Sequence, residues 1–160
     1  MNDFTHLDAE GRVRMVDVDN KDVTKRIAVA CGIIKMKPDT LEKIITSSVK
    51  KGNVLETARI AGIMAAKKTS DLIPMCHPLN ITHVSVDFYP DQANSQITIE
   101  AQASLSGKTG VEMEALTAVS IAALTVYDMC KSYDKGMIIS DIHLKRKSGG
   151  KSGIFLAERY

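Results

Sequence analysis

The sequence predicts an α+β fold, one antiparallel sheet with helices packed on a single face. Three observations predict it. Residues 81–89 and 96–105 both alternate apolar with polar side chains around Pro90-Asp91-Gln92-Ala93-Asn94, the pattern of a half-buried hairpin. Residues 24–36 (TKRIAVACGIIKM) and 137–145 supply two further strands, the first rich in Ile and Val. Stretches with helix-start signals and helical spacing separate the outer strands from the hairpin.

Taken in order, residues 1–20 read as an irregular entry segment, followed by the strand at 24–36. Pro38-Asp39-Thr40 opens a short helix with Leu41, Ile44, Ile45 and Val49 on one side. Asn53, with Glu56 three positions later, makes a capping box for a second helix ending near Lys68. Its Ala58, Ala61, Gly62, Ala65 and Ala66 permit close packing. Residues 70–80 hold Pro74 and Pro78 and read as a loop. After the hairpin, Ser106-Gly107-Lys108-Thr109-Gly110 breaks into a long helix, 111–132. The last strand, 137–145, is followed by a Gly/Ser/Lys loop.

Merging the two early helices gives a split βαβ, ferredoxin-like order. The whole chain, 1–160, reads as one domain, with 1–12 flexible and 146–153 a mobile loop. Only seven aromatics are available to seal the sheet's open face, which points to cover by another subunit.

Composition narrows the function classes. A 17.4 kDa chain that is 44% apolar and 25% charged can bury a real core but has no room for a cofactor domain. A net charge of +2 gives no general nucleic-acid footprint. The bases cluster locally at Lys50-Lys51, Lys67-Lys68 and 145–151, which suits a small anionic ligand. No apolar run approaches the roughly 18 residues of a membrane span. The polar N-terminus is no secretory signal. Cys31, Cys76 and Cys130 are odd in number and widely spaced, so they read as reduced thiols of a cytoplasmic protein.

The long helix carries the most chemical information. Glu114 and Asp128 lie about 40° apart around its axis, with Lys131 beside Asp128. Leu116, Val119, Ala123 and Tyr127 form a core stripe on the other side. Ala118, Ile121, Ala122 and Thr125 surround the acids, so the helix reads as buried on both sides and the carboxylates as enclosed. Yet the two acids are roughly 21 Å apart along the axis. If they serve one site, a second subunit must supply one of them, most simply by antiparallel pairing of this helix across a two-fold axis. A plainer alternative stands beside this reading: Glu114 favours the helix N-terminus and Asp128 pairs with Lys131 at i,i+3.

His77 sits in Pro74-Met75-Cys76-His77-Pro78, where two prolines lower the entropy cost of holding a side chain in place. A lone loop histidine is more often a surface or hydrogen-bonding residue than a catalyst. Cys76-His77 lacks the CxxC, HxxxH or HExxH partner that a metal site needs, and His6, His83 and His143 are scattered. Gly150-Lys151-Ser152 fails the Walker pattern, because Lys145 stands where its first glycine belongs and no helix follows. The segment still offers backbone N–H groups and ammonium charges to phosphates, or is a solvated loop.

Together, MVDV at 15–18, KG at 51–52, TARIAGI at 57–63, DLIPMCHPL at 71–79, GKTGVEMEALTA at 107–118, YDMCK at 127–131 and KSGGKSG at 147–153 resemble the MoaC family, the molybdenum cofactor biosynthesis protein C family of cyclic pyranopterin monophosphate synthases. The likeness runs over residues 13–153. The resemblance implies a ferredoxin-like subunit in a homohexamer, a trimer of dimers with active sites at the dimer interface. It implies (8S)-3',8-cyclo-7,8-dihydroguanosine 5'-triphosphate as substrate, supplied by a radical S-adenosylmethionine GTP cyclase, with cyclic pyranopterin monophosphate and diphosphate as products. It makes Asp128 the catalytic acid/base, with Lys51 and Lys131 beside it. By the same resemblance, Met75, Cys76, His77, Met113 and Glu114 would bind substrate, with Glu112 nearby and Lys147 on the phosphates. No protein-held cofactor or metal is implied, though Mg²⁺ can accompany the triphosphate.

Such a rearrangement needs protons delivered and removed in order. An enclosed Asp beside a Lys can have both pKa values drawn toward working pH, in directions the sequence does not give. An alternative class is an oligomeric ferredoxin-like nucleotide-binding regulatory module. An RNA-binding module of the same fold is set aside, because the hairpin strands carry no paired aromatics.

Overall fold

A computed structural model describes residues 10–158. The expected flexibility of 1–12 rests mainly on residues outside that range, as does His6. The elements run β1 (Thr24–Lys35), α1 (Pro38–Ile45), α2 (Val54–Ala66), α3 (Thr69–Leu72), β2 (His83–Asp91), β3 (Gln96–Gly107), α4 (Glu112–Cys130), β4 (Ile138–Ser148) and β5 (Phe155–Leu156). The fold is α+β, as the sequence predicts. One five-stranded sheet has the order β2-β3-β1-β4-β5, with every neighbouring pair antiparallel. β3 lies between β1 and β2, which is the split βαβ.

The alternation seen in the sequence is real in β3. Ile97, Ile99, Ala101, Ala103 and Leu105 are buried, while Thr98, Glu100, Gln102 and Ser104 occupy the other face. Ala28, Ala30 and Ile34 of β1 join the same core as Ala115, Ala118, Val119, Ala122 and Val126 of α4. Truncating a core side chain such as Ile34 to Ala would cost on the order of 2–5 kcal/mol. α2 lies against α4 through its small residues, and at Gly62 there is no room for a side chain. A Cβ there would stand 2.9 Å from the Ala118 carbonyl oxygen, so any larger residue forces the helices apart.

Asn53 caps α2 by accepting the Glu56 N–H at 3.1 Å. Only half of the capping box forms, because the Glu56 carboxylate turns to Arg59 at 3.2 Å. Four further differences separate the structure from the expectation. Residues 69–72 make one helical turn inside the expected loop. Ile45 is exposed while Leu41, Ile44 and Val49 are buried. β4 continues past Lys145 to Ser148, because Arg146 and Lys147 pair both with β1 and with Phe155–Leu156 of an unexpected β5. Finally, the open sheet face is largely polar, with a Lys145–Glu100 ion pair at 2.6 Å over Cys31. Apolar surface is instead left on the helix layer, at Ile60, Met64 and Leu124.

α4 is also long and apolar enough to cross a bilayer by length and composition, although its three acids leave no uninterrupted apolar run of that length in the sequence. It lies in the core, against β1, β3, β4 and α2.

Candidate active site

Two adjoining hollows open beside the N-terminal end of α4. The larger, about 490 Å³, lies between the start of β1, the β3–α4 loop and the turn after β4. Lys21, Arg26, Lys108, Lys147 and Lys151 line it, against the carboxylates of Asp22 and Glu112. Backbone from Gly110 and from Gly149 and Gly150 completes the wall. Five cations against two acids suit a polyanion. Arg26 also builds the cleft, donating from Nε to the Gly107 carbonyl at 3.2 Å and from Nη2 to that of Lys108 at 3.3 Å. Lys147 pairs with Glu112 at 2.9 Å.

The smaller hollow, about 270 Å³, is lined by Met75, Cys76, His77, Met113 and Glu114, with Val16, Val18 and Leu79 as apolar walls. Lys21, Thr109, Gly110 and Glu112 border both hollows, so the two are continuous. The proline-flanked loop delivers His77, whose Nε2 lies 2.8 Å from the Val16 carbonyl and therefore donates to it. Glu114 is 3% exposed. Burial pushes its carboxyl up to about 6, with the Glu112 charge adding and its own backbone N–H opposing. Burial, and then the charge on Glu114, push the Cys76 thiol up. Cys31 and Cys130 are raised by burial to about 11, so none of the three thiols is primed as a nucleophile.

The remaining sequence-nominated residues gather at the opposite end of α4. The Lys131 ammonium lies 2.7 Å from the Asp128 carboxylate, and that of Lys51 lies 4.0 Å from it. Lys51 also donates to the Asp128 backbone carbonyl at 2.9 Å. Here the structure corrects the sequence reading, because Asp128 is not enclosed within the subunit. Its side chain is 63% exposed, on the outer strip of α4 that also exposes Leu124. α2 and the sheet cover the other sides of the helix and leave this strip bare. The pKa values move away from neutrality rather than toward it. The hydrogen bond and charge of Lys131, then the charge of Lys51, lower the Asp128 carboxyl, and Asp128 raises Lys131.

The ten nominated residues thus form two groups. Met75, Cys76, His77, Glu112, Met113, Glu114 and Lys147 meet at one end of α4, while Lys51, Asp128 and Lys131 meet at the other. Lys21, Arg26 and Lys108 of the cationic cleft were not singled out from sequence. Each stands outside the basic runs, and only the fold brings them together.

The MoaC family model matches residues 15–150. A cyclic pyranopterin monophosphate synthase of Desulforapulum autotrophicum is 74% identical over 160 residues, covering 100% of this chain and 98% of that protein. The proteins of the same name from Desulfatibacillum aliphaticivorans and a Roseiflexus species are 66% and 61% identical, over 99% and 98% of this chain and 99% of each relative.

Proposed function

The chain belongs to the MoaC family, and we propose that it performs a lyase step of molybdenum cofactor biosynthesis. In that step (8S)-3',8-cyclo-7,8-dihydroguanosine 5'-triphosphate becomes cyclic pyranopterin monophosphate and diphosphate. The observation that carries the reading is the continuity of a five-cation cleft with a smaller hollow holding the buried carboxyl of Glu114, raised by that burial. A guanine-derived triphosphate has the same division into an anionic tail and a polar ring.

In this reading the triphosphate lies along Lys147, Lys21 and Lys108, whose charges stabilise the departing diphosphate. The ring system enters the smaller hollow against Met75, Cys76, His77, Met113 and Glu114. Asp128, kept ionised by two lysines, takes protons from the substrate, and Lys131 or Lys51 returns them. No covalent enzyme intermediate is needed. The reading needs no metal held by the protein, and Mg²⁺ can accompany the triphosphate.

One subunit cannot bring Asp128 to the cleft, because about 21 Å of α4 separates it from Glu114. The active form is therefore a dimer that pairs α4 antiparallel with its copy, so that each site takes Asp128, Lys51 and Lys131 from the partner. The bare strip of α4 around Leu124 supports this contact. Three such dimers would form a cytoplasmic hexamer, acting on the product of a radical S-adenosylmethionine GTP cyclase.

Incubation with the cyclised nucleotide, followed by analysis of the phosphorus-containing products, tests the reading. Release of one diphosphate per cyclic monophosphate is expected. Recovery of the nucleotide bound but unchanged would instead identify a regulatory module.

A further inference from the structure

Tyr133 belongs to neither group of site residues, yet it touches the segment that carries one of them. It stands on the turn leaving α4, which is firmly held. Its N–H and that of Asp134 both return to the Cys130 carbonyl, at 2.8 and 3.1 Å. The Asp134 carboxylate, 3% exposed, accepts the N–H groups of Lys37 at 2.8 Å and Gly136 at 2.9 Å. The Tyr127 hydroxyl donates to the Lys135 carbonyl at 3.0 Å. From this platform the Tyr133 hydroxyl accepts the Lys50 N–H at 3.2 Å, and the Lys43 ammonium lies 5.7 Å from the ring centroid.

Lys50 and Lys51 are the two corner residues of a turn closed by the Gly52 N–H on the Val49 carbonyl at 3.0 Å, with Val49 buried beneath. Lys51 reaches Asp128 from that corner on a flexible four-carbon stem, so its ammonium is placed only as well as its backbone is. We propose that Tyr133 is a positioning residue. By holding the Lys50 N–H, it fixes the turn that presents Lys51 to Asp128, and it touches no substrate itself. The inference rests on the reading of Lys51, Asp128 and Lys131 as the catalytic group.

Tyr133→Phe in the full-length protein removes the hydroxyl and keeps the ring under Lys43. Loss of a single solvent-accessible hydrogen bond leaves global stability nearly unchanged. Displacing a catalytic ammonium by about 1 Å costs up to roughly 100-fold in rate. The expected result is a kcat lowered about 10- to 100-fold with KM within about twofold and an unchanged melting temperature. The Lys50 amide should also exchange with solvent about tenfold faster. The double variant Tyr133→Phe/Lys51→Ala should be no slower than Lys51→Ala alone. Turnover retained in Tyr133→Phe but lost in Lys51→Ala overturns the proposal alone. So does an unchanged Lys50 exchange rate, or losses that multiply in the double variant. Full turnover in Lys51→Ala removes the catalytic reading and the proposal with it.

Discussion

The Lys131 ammonium and the Asp128 carboxylate, 2.7 Å apart at the end of α4, hold each other in their charged forms. Both side chains are more than half exposed, so the pair contributes little to folding. Under the proposed function this carboxylate, held ionised beside two ammonium groups and open to solvent, is the one that meets the substrate. Asp128→Asn is expected to lower kcat by about 10²–10⁴-fold and leave the melting temperature close to that of the parent. Lys131 supplies the largest influence lowering the Asp128 carboxyl, so Lys131→Gln should raise that pKa back toward the ordinary carboxylate range. A carbon-13 titration of the Asp128 carboxyl checks this, and an unmoved midpoint would contradict it.

Glu114 presents the opposite case, an acid that destabilises the fold at neutral pH. Its folded pKa of about 6 lies above the ordinary value of 4.5, so the native state binds protons more tightly than the unfolded chain. The favourable contribution is complete below pH 4.5 and is lost as pH rises through about 6. At pH 7 and above the buried charge costs about 2 kcal/mol. Glu114→Gln should therefore be the more stable protein at pH 7.5, with the gain vanishing near pH 4. Urea unfolding at the two pH values measures this. The same variant should lose activity, since the acid lines the smaller hollow.

What the sequence made legible follows from range. The alternation of Ile97 to Leu105, the Asn53 cap and the small-residue face of α2 are local signals, and each has its counterpart in the structure. The strand character of Arg146 and Lys147 is hidden, because two bases leading into a Gly/Ser/Lys run read as loop until β1 and β5 flank them. The cationic cleft was legible only in part. Lys147 and Lys151 fall in a visible cluster, whereas Lys21, Arg26 and Lys108 converge from distant segments. The exposure of Asp128 was illegible for a related reason. Helical spacing tells which residues share a strip of α4, but not which strip α2 and the sheet leave uncovered.

The turn after β4 should be sensitive to a single methyl group. Gly149 has a φ of 103°, and a Cβ there would collide with the Lys25 carbonyl oxygen. Gly149→Ala must displace the turn that carries one wall of the cleft, at a cost of about 1–3 kcal/mol. We expect a lower melting temperature and a KM for the triphosphate raised several-fold, with kcat less affected because Gly149 borders the cationic cleft and not the smaller hollow that takes the ring system. Steady-state kinetics separates the two parameters; a fall confined to kcat would place the phosphates elsewhere.

The separation of the two groups along α4 makes its own prediction. If each site draws Glu114 from one subunit and Asp128 from the other, Glu114→Ala and Asp128→Ala are each inactive as homodimers. In a mixed dimer both defects fall in one site and the second site is intact. Random reassortment makes half the dimers mixed, each with one working site of two, so activity should recover to about a quarter of the parent's. The measurement is turnover after co-refolding equal amounts of the two variants, with unmixed controls at the same total concentration. No recovery, despite mass-spectrometric proof of mixed dimers, would mean that each subunit works alone. The 21 Å between the groups would then have to be closed by movement within one chain. α4 makes that costly, because Ala115, Val119, Ala122 and Val126 all pack into the core along the intervening length.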